Sequence, residues 1–163
     1  MEVSRRVNPA HLARVRELCR EAPFMETIGA RLLDLSEDLC RMELFVSKRH
    51  MNAAAAVHGG VYAALLDNVT FWCLYCGIAQ DAGMVTLDVN VSDLGSVTEG
   101  RIVAEGKALK YGRSICLSEG SVRTPEGRLL AYATSKCIIS PAVPSLSQAV
   151  VDAGQTPLPP KFL

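Results

Sequence analysis

The sequence has no net charge. Lys plus Arg and Asp plus Glu both total 17 among its 163 residues, so the formal charge at pH 7 is zero. A neutral chain provides no general electrostatic attraction for nucleic acid or for an anionic membrane surface. We therefore expect neither as a partner, and any anionic ligand must be held by a few local cations.

The sequence also lacks the signals of export and of common serine hydrolases. Three of its first six residues are charged and no apolar h-region follows them, so we predict a cytoplasmic protein without an export signal. No G-x-S-x-G pattern occurs, which argues against a serine hydrolase with a nucleophile elbow.

The cysteines lack the grouping of a structural zinc site. Only Cys73 and Cys76 form a C-x-x-C pair, and no second pair or nearby His completes a ligand set. We interpret all six cysteines as packed free thiols in a reducing compartment. They are Cys19, Cys40, Cys73, Cys76, Cys116 and Cys137.

What the chain does have is the composition of one globular domain. Hydrophobic residues make up 49% and charged residues 21%, and this length suffices for one hydrophobic core but hardly for two. Five of the eight prolines fall between Pro141 and Pro160, which is typical of a tail outside the core. We predict an N-terminal helical segment at 1–23, a domain at 24–140 and a Pro-rich C-terminal tail at 141–163.

Local signals predict a helix and then a strand hairpin in the first part of the chain. Asn8 is a suitable N-cap and is followed by a proline, which suits the first helical turn. A helix should therefore run over 9–21, and Pro23 prevents its continuation. Apolar residues in a strand-like pattern over 28–46, interrupted by turn residues at 36–38, predict a hairpin.

The stretch from Gly59 to Ala79 is the most apolar part of the sequence. At about 1.5 Å per residue it could just cross a bilayer, but Asp67 and Asn68 in its middle would be costly there. We therefore predict a buried helix that is wrapped by a sheet.

Four strands are predicted after this helix. The first covers 84–91, and three more lie near 101–110, 114–123 and 128–139. The two faces of the first strand alternate, with Val85, Leu87, Val89 and Val91 on one side and Met84, Thr86, Asp88 and Asn90 on the other. Strands on both sides of a single helix predict an α+β fold, in which an antiparallel β-sheet curls around one long central α-helix.

Three features of the sequence need a common explanation: Asn52, the His58-Gly59-Gly60 turn and Asp67. The glycines lie where the central helix begins, so their amides belong to its unpaired donors, which can stabilise an oxyanion. Asp67 lies about two turns further along, where a carboxylate is costly unless it is hydrogen-bonded or functional. Taken singly, each feature also has a structural interpretation: a helix cap, a turn and a satisfied carboxylate.

In combination, Asn52-(five residues)-His58-Gly59-Gly60-(six residues)-Asp67 resembles the signature of hotdog-fold thioesterases. The resemblance is to the phenylacetic-acid-degradation type within the 4-hydroxybenzoyl-CoA thioesterase superfamily. It covers roughly residues 24–140 and includes the strand order. It implies a hotdog fold and an acyl-coenzyme A (acyl-CoA) thioesterase, which hydrolyses the thioester to free acid and CoA.

The resemblance also implies a role for each site residue. Asp67 matches the catalytic carboxylate, a general base on water or a nucleophile, and the Gly59 amide matches the donor that polarises the carbonyl. Asn52 and His58 match residues that place the carbonyl and the attacking water, and Thr86 matches a hydroxyl that helps hold this water. Because a thiolate leaves with little acid assistance, no metal or other cofactor is expected.

A basic turn at 110–114, with the sequence Lys-Tyr-Gly-Arg-Ser, resembles the family's contact with CoA. The implied contacts to the pantetheine and the phosphates come from Lys110, Gly112, Arg113 and Ser114. Its cations would supply the local positive charge that a neutral chain otherwise lacks. From the residues alone, the alternative is a solvated basic hairpin.

The resemblance further implies a homodimer, or a dimer of dimers, with composite sites. Asn52, His58 and Gly59 would come from one subunit, and Asp67 and Thr86 from its neighbour. A twofold isologous contact suits a helix start and a sheet edge that both lie near the surface.

The departures from the family pattern concern the substrate more than the reaction. Ala55 stands where a glycine is frequent, and the loop 93–97 begins with acidic Asp93 and lacks the frequent proline and basic residue. Trp72 and Tyr75 are bulky for a central helix; core packing is their expected role, and shaping of an acyl pocket is the alternative.

Two other functions are compatible with a hotdog fold. A non-catalytic acyl-CoA sensor should carry an effector domain, and one short N-terminal helix is too little for a DNA-reading helix-turn-helix. A hydratase or dehydratase pairs a catalytic His with a carboxylate differently, so the Asn-His-Gly-Gly-Asp pattern fits it less well.

Overall fold

The computed structural model of the chain describes residues 6–79 and 82–163. Within these ranges it contains α1 (Pro9–Glu21), α2 (Pro23–Ile28), β1 (Ala30–Ser36), β2 (Leu39–Val46), a 3₁₀ turn (Lys48–His50), α3 (Gly59–Tyr75), β3 (Met84–Asp93), β4 (Gly100–Lys110), β5 (Ile115–Arg123), β6 (Leu129–Ile139) and α4 (Leu146–Asp152). The first five residues of the predicted segment 1–23 lie outside the described residues.

One antiparallel sheet surrounds the central helix. The strand order is β1-β2-β4-β5-β6-β3, and α3 contacts every strand in it. Leu65, Leu66 and Val69 of α3 are fully buried. The α+β hotdog architecture predicted from the sequence is therefore confirmed. No helix in the described ranges is both long and apolar enough to cross a membrane.

Two glycines allow α3 to approach the middle of the sheet. Gly106 of β4 and Gly120 of β5 are register partners. A Cβ on Gly106 would collide with the carbonyl of Val69, and a Cβ on Gly120 would lie 3.0 Å from the side chain of Thr70. The Ser118 hydroxyl donates to the Thr70 carbonyl at 2.8 Å and ties the helix to β5.

The first helix agrees with its prediction, but it is followed by a second helix that was not predicted. Asn8 caps α1 by accepting a hydrogen bond from the Ala10 N–H at 3.0 Å. Pro23 does follow the end of α1, but it also begins α2, because a proline suits the first turn of a helix. The short helix ends at Gly29, whose φ of 70° lies in the left-handed region.

The predicted alternation of β3 is interrupted. The register with β6 shifts between Thr86 and Asp88, and such a bulge redirects the side chains on either side of it. Val85 and Leu87 are 44% and 53% exposed, whereas the later valines of the strand pack against the core. The prediction that these side chains share one face is therefore wrong.

The C-terminal segment packs against the core, contrary to the expectation from its prolines. Val150 of α4 is buried, and the Lys161 side chain is 1% exposed. Lys161 Nζ donates to the carbonyls of Tyr75 and Ile78 and so satisfies groups that the end of a helix leaves unpaired. The helix α3 ends at Tyr75, before the predicted end at Ala79. The division of the chain into three parts stays a prediction.

All six cysteines are buried and unpaired, as expected for packed thiols. Burial raises the pKa of Cys19 and Cys73 to about 12 and that of Cys76 and Cys137 to about 11. These thiols are therefore protonated at neutral pH and are poor nucleophiles in the folded chain.

Candidate functional site

Asp67 and Thr86 form a hydrogen-bonded pair, which we call the carboxylate half of the site. Asp67 lies at the midpoint of α3, and Thr86 lies near the start of β3. The Thr86 hydroxyl donates to Asp67 Oδ1 at 3.1 Å. Both residues are half-buried, so the carboxylate is oriented and still accessible. The structure thus brings together two residues that the sequence singled out.

The start of α3 presents N–H donors. His58 Nδ1 accepts a hydrogen bond from the Gly60 N–H at 2.8 Å, so a neutral ring carries its proton on Nε2. The His58 ring is exposed, and its Nε2 is available to a ligand as a donor. The Gly59 N–H belongs to the donors that a helix start leaves unpaired. With Asn52, these residues form what we call the helix-start half.

Asn52 holds the loop that leads to α3. Its Oδ1 accepts hydrogen bonds from the N–H groups of Ala54 and Ala56, at 2.9 and 3.2 Å. Ala55 between them has a φ of 56°, in the region that favours glycine. The Asn52 side-chain nitrogen has no partner within the described part of the chain, so it can donate to a ligand.

Asp93 lies against the helix-start half, a contact that the sequence did not predict. A side chain on Gly59 would collide with the Asp93 carboxylate, so this acidic group lies near the positive end of α3. The buried Tyr62 hydroxyl has no hydrogen-bond partner in residues 6–79 and 82–163. Burial, followed by the charge of Asp93, raises the pKa of Tyr62. No spacing in the sequence signals this cluster, because β3 and α3 meet only in the folded chain.

The two halves lie far apart along the same helix. Gly59 and Asp67 are eight residues apart in α3, which corresponds to about 12 Å at 1.5 Å per residue. A base and an oxyanion donor that serve one reaction must lie within hydrogen-bond reach of the attacking water and the carbonyl oxygen, respectively. The halves of a single chain are therefore too far apart to serve the same carbonyl.

The basic turn at 110–114 lies at the same end of the sheet as the carboxylate half. The Ser114 carbonyl accepts from the Ile139 N–H at 2.8 Å, and Ile139 is the register partner of Met84. The turn is therefore two strand spacings, about 10 Å, from the start of β3. Gly112 is needed in the turn because a Cβ there would collide with a backbone carbonyl of β5.

The cations of this turn are free to bind an anion. Lys110 and Arg113 are exposed, and neither forms an ion pair among the residues that the structure describes. The Tyr111 hydroxyl donates to Asp38 Oδ1 at 2.6 Å and anchors the turn to the β1–β2 hairpin. The exposed cations are thus held on a fixed support.

The site combines an oriented carboxylate, N–H donors and exposed cations. This set suits attack of an activated water on a polarised carbonyl in an anionic ligand. Within the described ranges, no three His, Cys, Asp or Glu side chains are grouped so that they could hold a metal ion.

Comparison with known proteins identifies the family of the chain. The model of the Thioesterase superfamily matches residues 55–131. The chain is 31% identical over 111 residues to a "Putative esterase" of Deinococcus radiodurans, a match that spans 66% of this chain and 73% of that protein. It is 30% identical over 95 residues to human "Acyl-coenzyme A thioesterase 13", which spans 57% of this chain and 66% of that protein.

The chain is also similar to a solved structure. The phenylacetic acid degradation-related protein of Ralstonia eutropha has a TM-score of 0.66 and 26% identity to this chain, over 76% of this chain and 97% of that one. The family match contains Gly59, Asp67, Thr86 and the basic turn, and it ends before α4.

Proposed function

Because the chain belongs to the thioesterase superfamily and is a thioester hydrolase, we propose that its substrate is an acyl-CoA, which it hydrolyses to free acid and CoA. A relative named for acyl-coenzyme A hydrolysis supports this substrate class. The observation that carries the proposal is the hydrogen bond from Thr86 to Asp67. It orients a carboxylate that the central helix would otherwise tolerate poorly.

Asp67 acts on water or on the thioester itself. As a general base, its carboxylate takes a proton from water while the water oxygen attacks the carbonyl carbon. As a nucleophile, it attacks that carbon directly, expels the CoA thiolate and forms an anhydride, which water then hydrolyses. In both routes Thr86 fixes the carboxylate, and the thiolate leaves with little acid assistance.

The helix-start half stabilises the negative charge that develops on the carbonyl oxygen. The Gly59 N–H donates to this oxygen at the positive end of α3. Asn52 and the Nε2–H of His58 are further donors that place the carbonyl and the water. Neither half contains a residue that needs a metal ion for this work.

The spacing of the halves supports a homodimer. Because they lie about 12 Å apart in one chain, we propose that the helix-start half of one subunit meets the carboxylate half of its partner. The outer strand β3 carries Thr86 and exposes Val85 and Leu87, which suits an isologous contact. Pairs of such dimers can assemble further into a dimer of dimers.

The basic turn binds the nucleotide end of CoA. Lys110 and Arg113 pair with its phosphates, and Gly112 and Ser114 offer backbone and hydroxyl contacts to the pantetheine. The turn lies about 10 Å from the start of β3, so the substrate spans the distance between the reacting carbonyl and the phosphates.

We predict that Asp67→Asn lowers kcat by at least about a hundredfold, because it removes the base and keeps the shape. Release of the CoA thiol should be measured with a chelator present, over short, medium, long and aromatic acyl-CoAs. Asp34→Asn, the same change in strand β1 away from the site, is the matched control. Tight binding of acyl-CoA without turnover by the wild type would favour a sensor, and a fully active Asp67→Asn would make the carboxylate structural.

A further inference from the structure

An apolar cavity lies between the C-terminal part of α3 and α4. Its volume is about 130 Å³. Phe71, Trp72 and Met84 form one wall, and Leu146 and Ala149 of α4 form the other. None of these residues takes part in the chemistry described above.

The cavity begins about one helical turn from the carboxylate half. Phe71 follows Asp67 by four residues in α3, so it lies on the same side of the helix and about 6 Å further along. Met84 precedes Thr86 by two residues in β3, so its side chain points to the same face about 7 Å away. The helix and the strand both lead from the carboxylate to the cavity.

The wall of the cavity on α3 is aromatic and preformed. The rings of Phe71 and Trp72 meet edge-to-face at 5.2 Å, and those of Trp72 and Tyr75 at 5.4 Å. Such contacts hold the rings in place without a ligand. A preformed apolar cavity accepts hydrocarbon and rejects polar groups, which would lose their hydrogen bonds to water.

The volume limits what the cavity can hold. An apolar cavity of about 150 Å³ binds benzene. At 130 Å³, this cavity has room for a tail of about six carbon atoms, straight or cyclic.

We infer that this cavity receives the acyl tail of the substrate and that α4 sets the upper limit on its size. The inference rests on the proposed function, since it places the thioester carbonyl at Asp67. The substrates are then acyl thioesters with a compact apolar tail. The helix α4 lies beyond residue 131, where the family match ends.

A second apolar groove is the competing location for the tail. It has a volume of about 240 Å³ and lies beside His58, with Phe24, Met51 and Ala64 in its walls. A tail in this groove would contact the subunit that supplies the helix-start half. A tail in the first cavity contacts the subunit that supplies Asp67.

The test uses straight-chain acyl-CoAs and variants of α4. Each methylene that the cavity covers should raise kcat/KM about fourfold, and a tail must first cross the gap of about 6 Å from Asp67, so octanoyl-CoA should exceed hexanoyl-CoA by about 16-fold. Ala149→Leu fills the cavity and should bring this ratio close to 1, whereas Leu146→Ala enlarges it and should move the optimum to longer chains. Ala153→Leu, at the end of the same helix and away from the cavity, should change neither.

The outcomes separate the two proposals. If no acyl-CoA is hydrolysed, the proposed function fails and the inference fails with it. If hexanoyl-CoA is hydrolysed and Ala149→Leu keeps the wild-type ratio, only the inference is overturned. A changed ratio in Ala64→Leu alone would also overturn it and assign the tail to the groove beside His58. If Ala149→Leu lowers the thermal midpoint of unfolding, Leu146→Ala provides the test. A shift of its optimum to longer chains supports the inference, and an unchanged optimum overturns it.

Discussion

His11 joins α1 to the C-terminal segment and to α3 through one hydrogen bond each. Its ring is 1% exposed, and Nδ1 donates to the Pro159 carbonyl at 2.7 Å. Because the Pro159 carbonyl can only accept, the ring proton lies on Nδ1. Nε2 therefore accepts from the Tyr75 hydroxyl, also at 2.7 Å. Burial lowers the pKa of His11 below its ordinary 6.5, and the charge of Lys161 acts in the same direction, against the hydrogen bond to Pro159.

We predict that the protein loses stability as the pH falls below about 6.5. The unfolded chain protonates His11 near its ordinary pKa of 6.5, whereas the folded chain does so only at lower pH. The unfolded state therefore binds more protons in this window, and stability is complete above it and declines towards the folded pKa. Thermal unfolding between about pH 7.5 and 5.5 should show a smaller decline for His11→Gln. An equal decline in both proteins would contradict the assignment to His11.

Single residues of the site were predictable where chemistry and local spacing coincide. Asp67 was singled out by its place in a buried helix, Thr86 was assigned only through the family resemblance, and the fold joins the two by a hydrogen bond. The contact of Asp93 with Gly59 was not predictable, because it depends on how β3 passes the start of α3. The catalytic role of every site residue stays a prediction until the variants are measured.

At the level of elements, local patterns located the starts of helices better than their ends. The start of α3 at Gly59 follows from the residues around it, but its end depends on Lys161, 86 residues from Tyr75. The helix α2 was missed because Pro23 was interpreted as an end, although proline equally suits a first turn. The helix α4 was likewise missed because of the prolines around it, although its Leu146 packs against the core and its Val150 is buried.

The close contact of α3 with the sheet makes Gly106 sensitive to substitution. We predict that Gly106→Ala lowers the free energy of unfolding by about 2–3 kcal/mol, because the new Cβ overlaps backbone atoms of Val69 and Thr70. Urea unfolding should show a lower midpoint with an unchanged slope. Gly95→Ala, where the nearest atom lies at 3.2 Å, should cost much less. Equal losses would mean that the helix does not rest on Gly106.

The basic turn should act on binding rather than on chemistry. We predict that Arg113→Ala raises KM for acyl-CoA more than it lowers kcat, because the phosphates are remote from the reacting carbon. The effect should fade at high salt, which screens exposed charges. Arg113→Lys keeps the charge and is the matched control. An equal effect on pantetheine thioesters, which lack the nucleotide, would remove Arg113 from the phosphate site.

At the scale of the whole molecule, the fold places two half-sites on one helix and leaves β3 as an outer strand. The strands and the central helix could be predicted because strands and helices have distinct periodicities, whereas the strand order came only from the family resemblance. The pairing of subunits has no such signature in one sequence, since it depends on which exposed surfaces fit each other.

We predict that two inactive subunits restore one active site when they pair. Asn52→Ala and Asp67→Asn chains should be co-expressed with different tags, and the mixed dimer should be purified through both. One of its two sites collects both wild-type residues, so the mixed dimer should show about half of the wild-type activity.

The parent homodimers, assayed in parallel, give the background. A mixed dimer as inactive as its parents would mean that both residues act from one chain. A fully active monomer, detected by light scattering at the assay concentration, would refute the shared site directly.

The six buried thiols allow the unfolding of the protein to be followed element by element. They are distributed over α1, β2, α3, β5 and β6 and the turn after α3, and alkylating reagents need the thiolate that burial withholds. Alkylation therefore proceeds through local or global unfolding. The time at which each cysteine peptide gains the mass of the label shows when its element unfolds. Because the thiols are the chain's own, the order in which they are alkylated reports the order in which the elements unfold, without any engineered label.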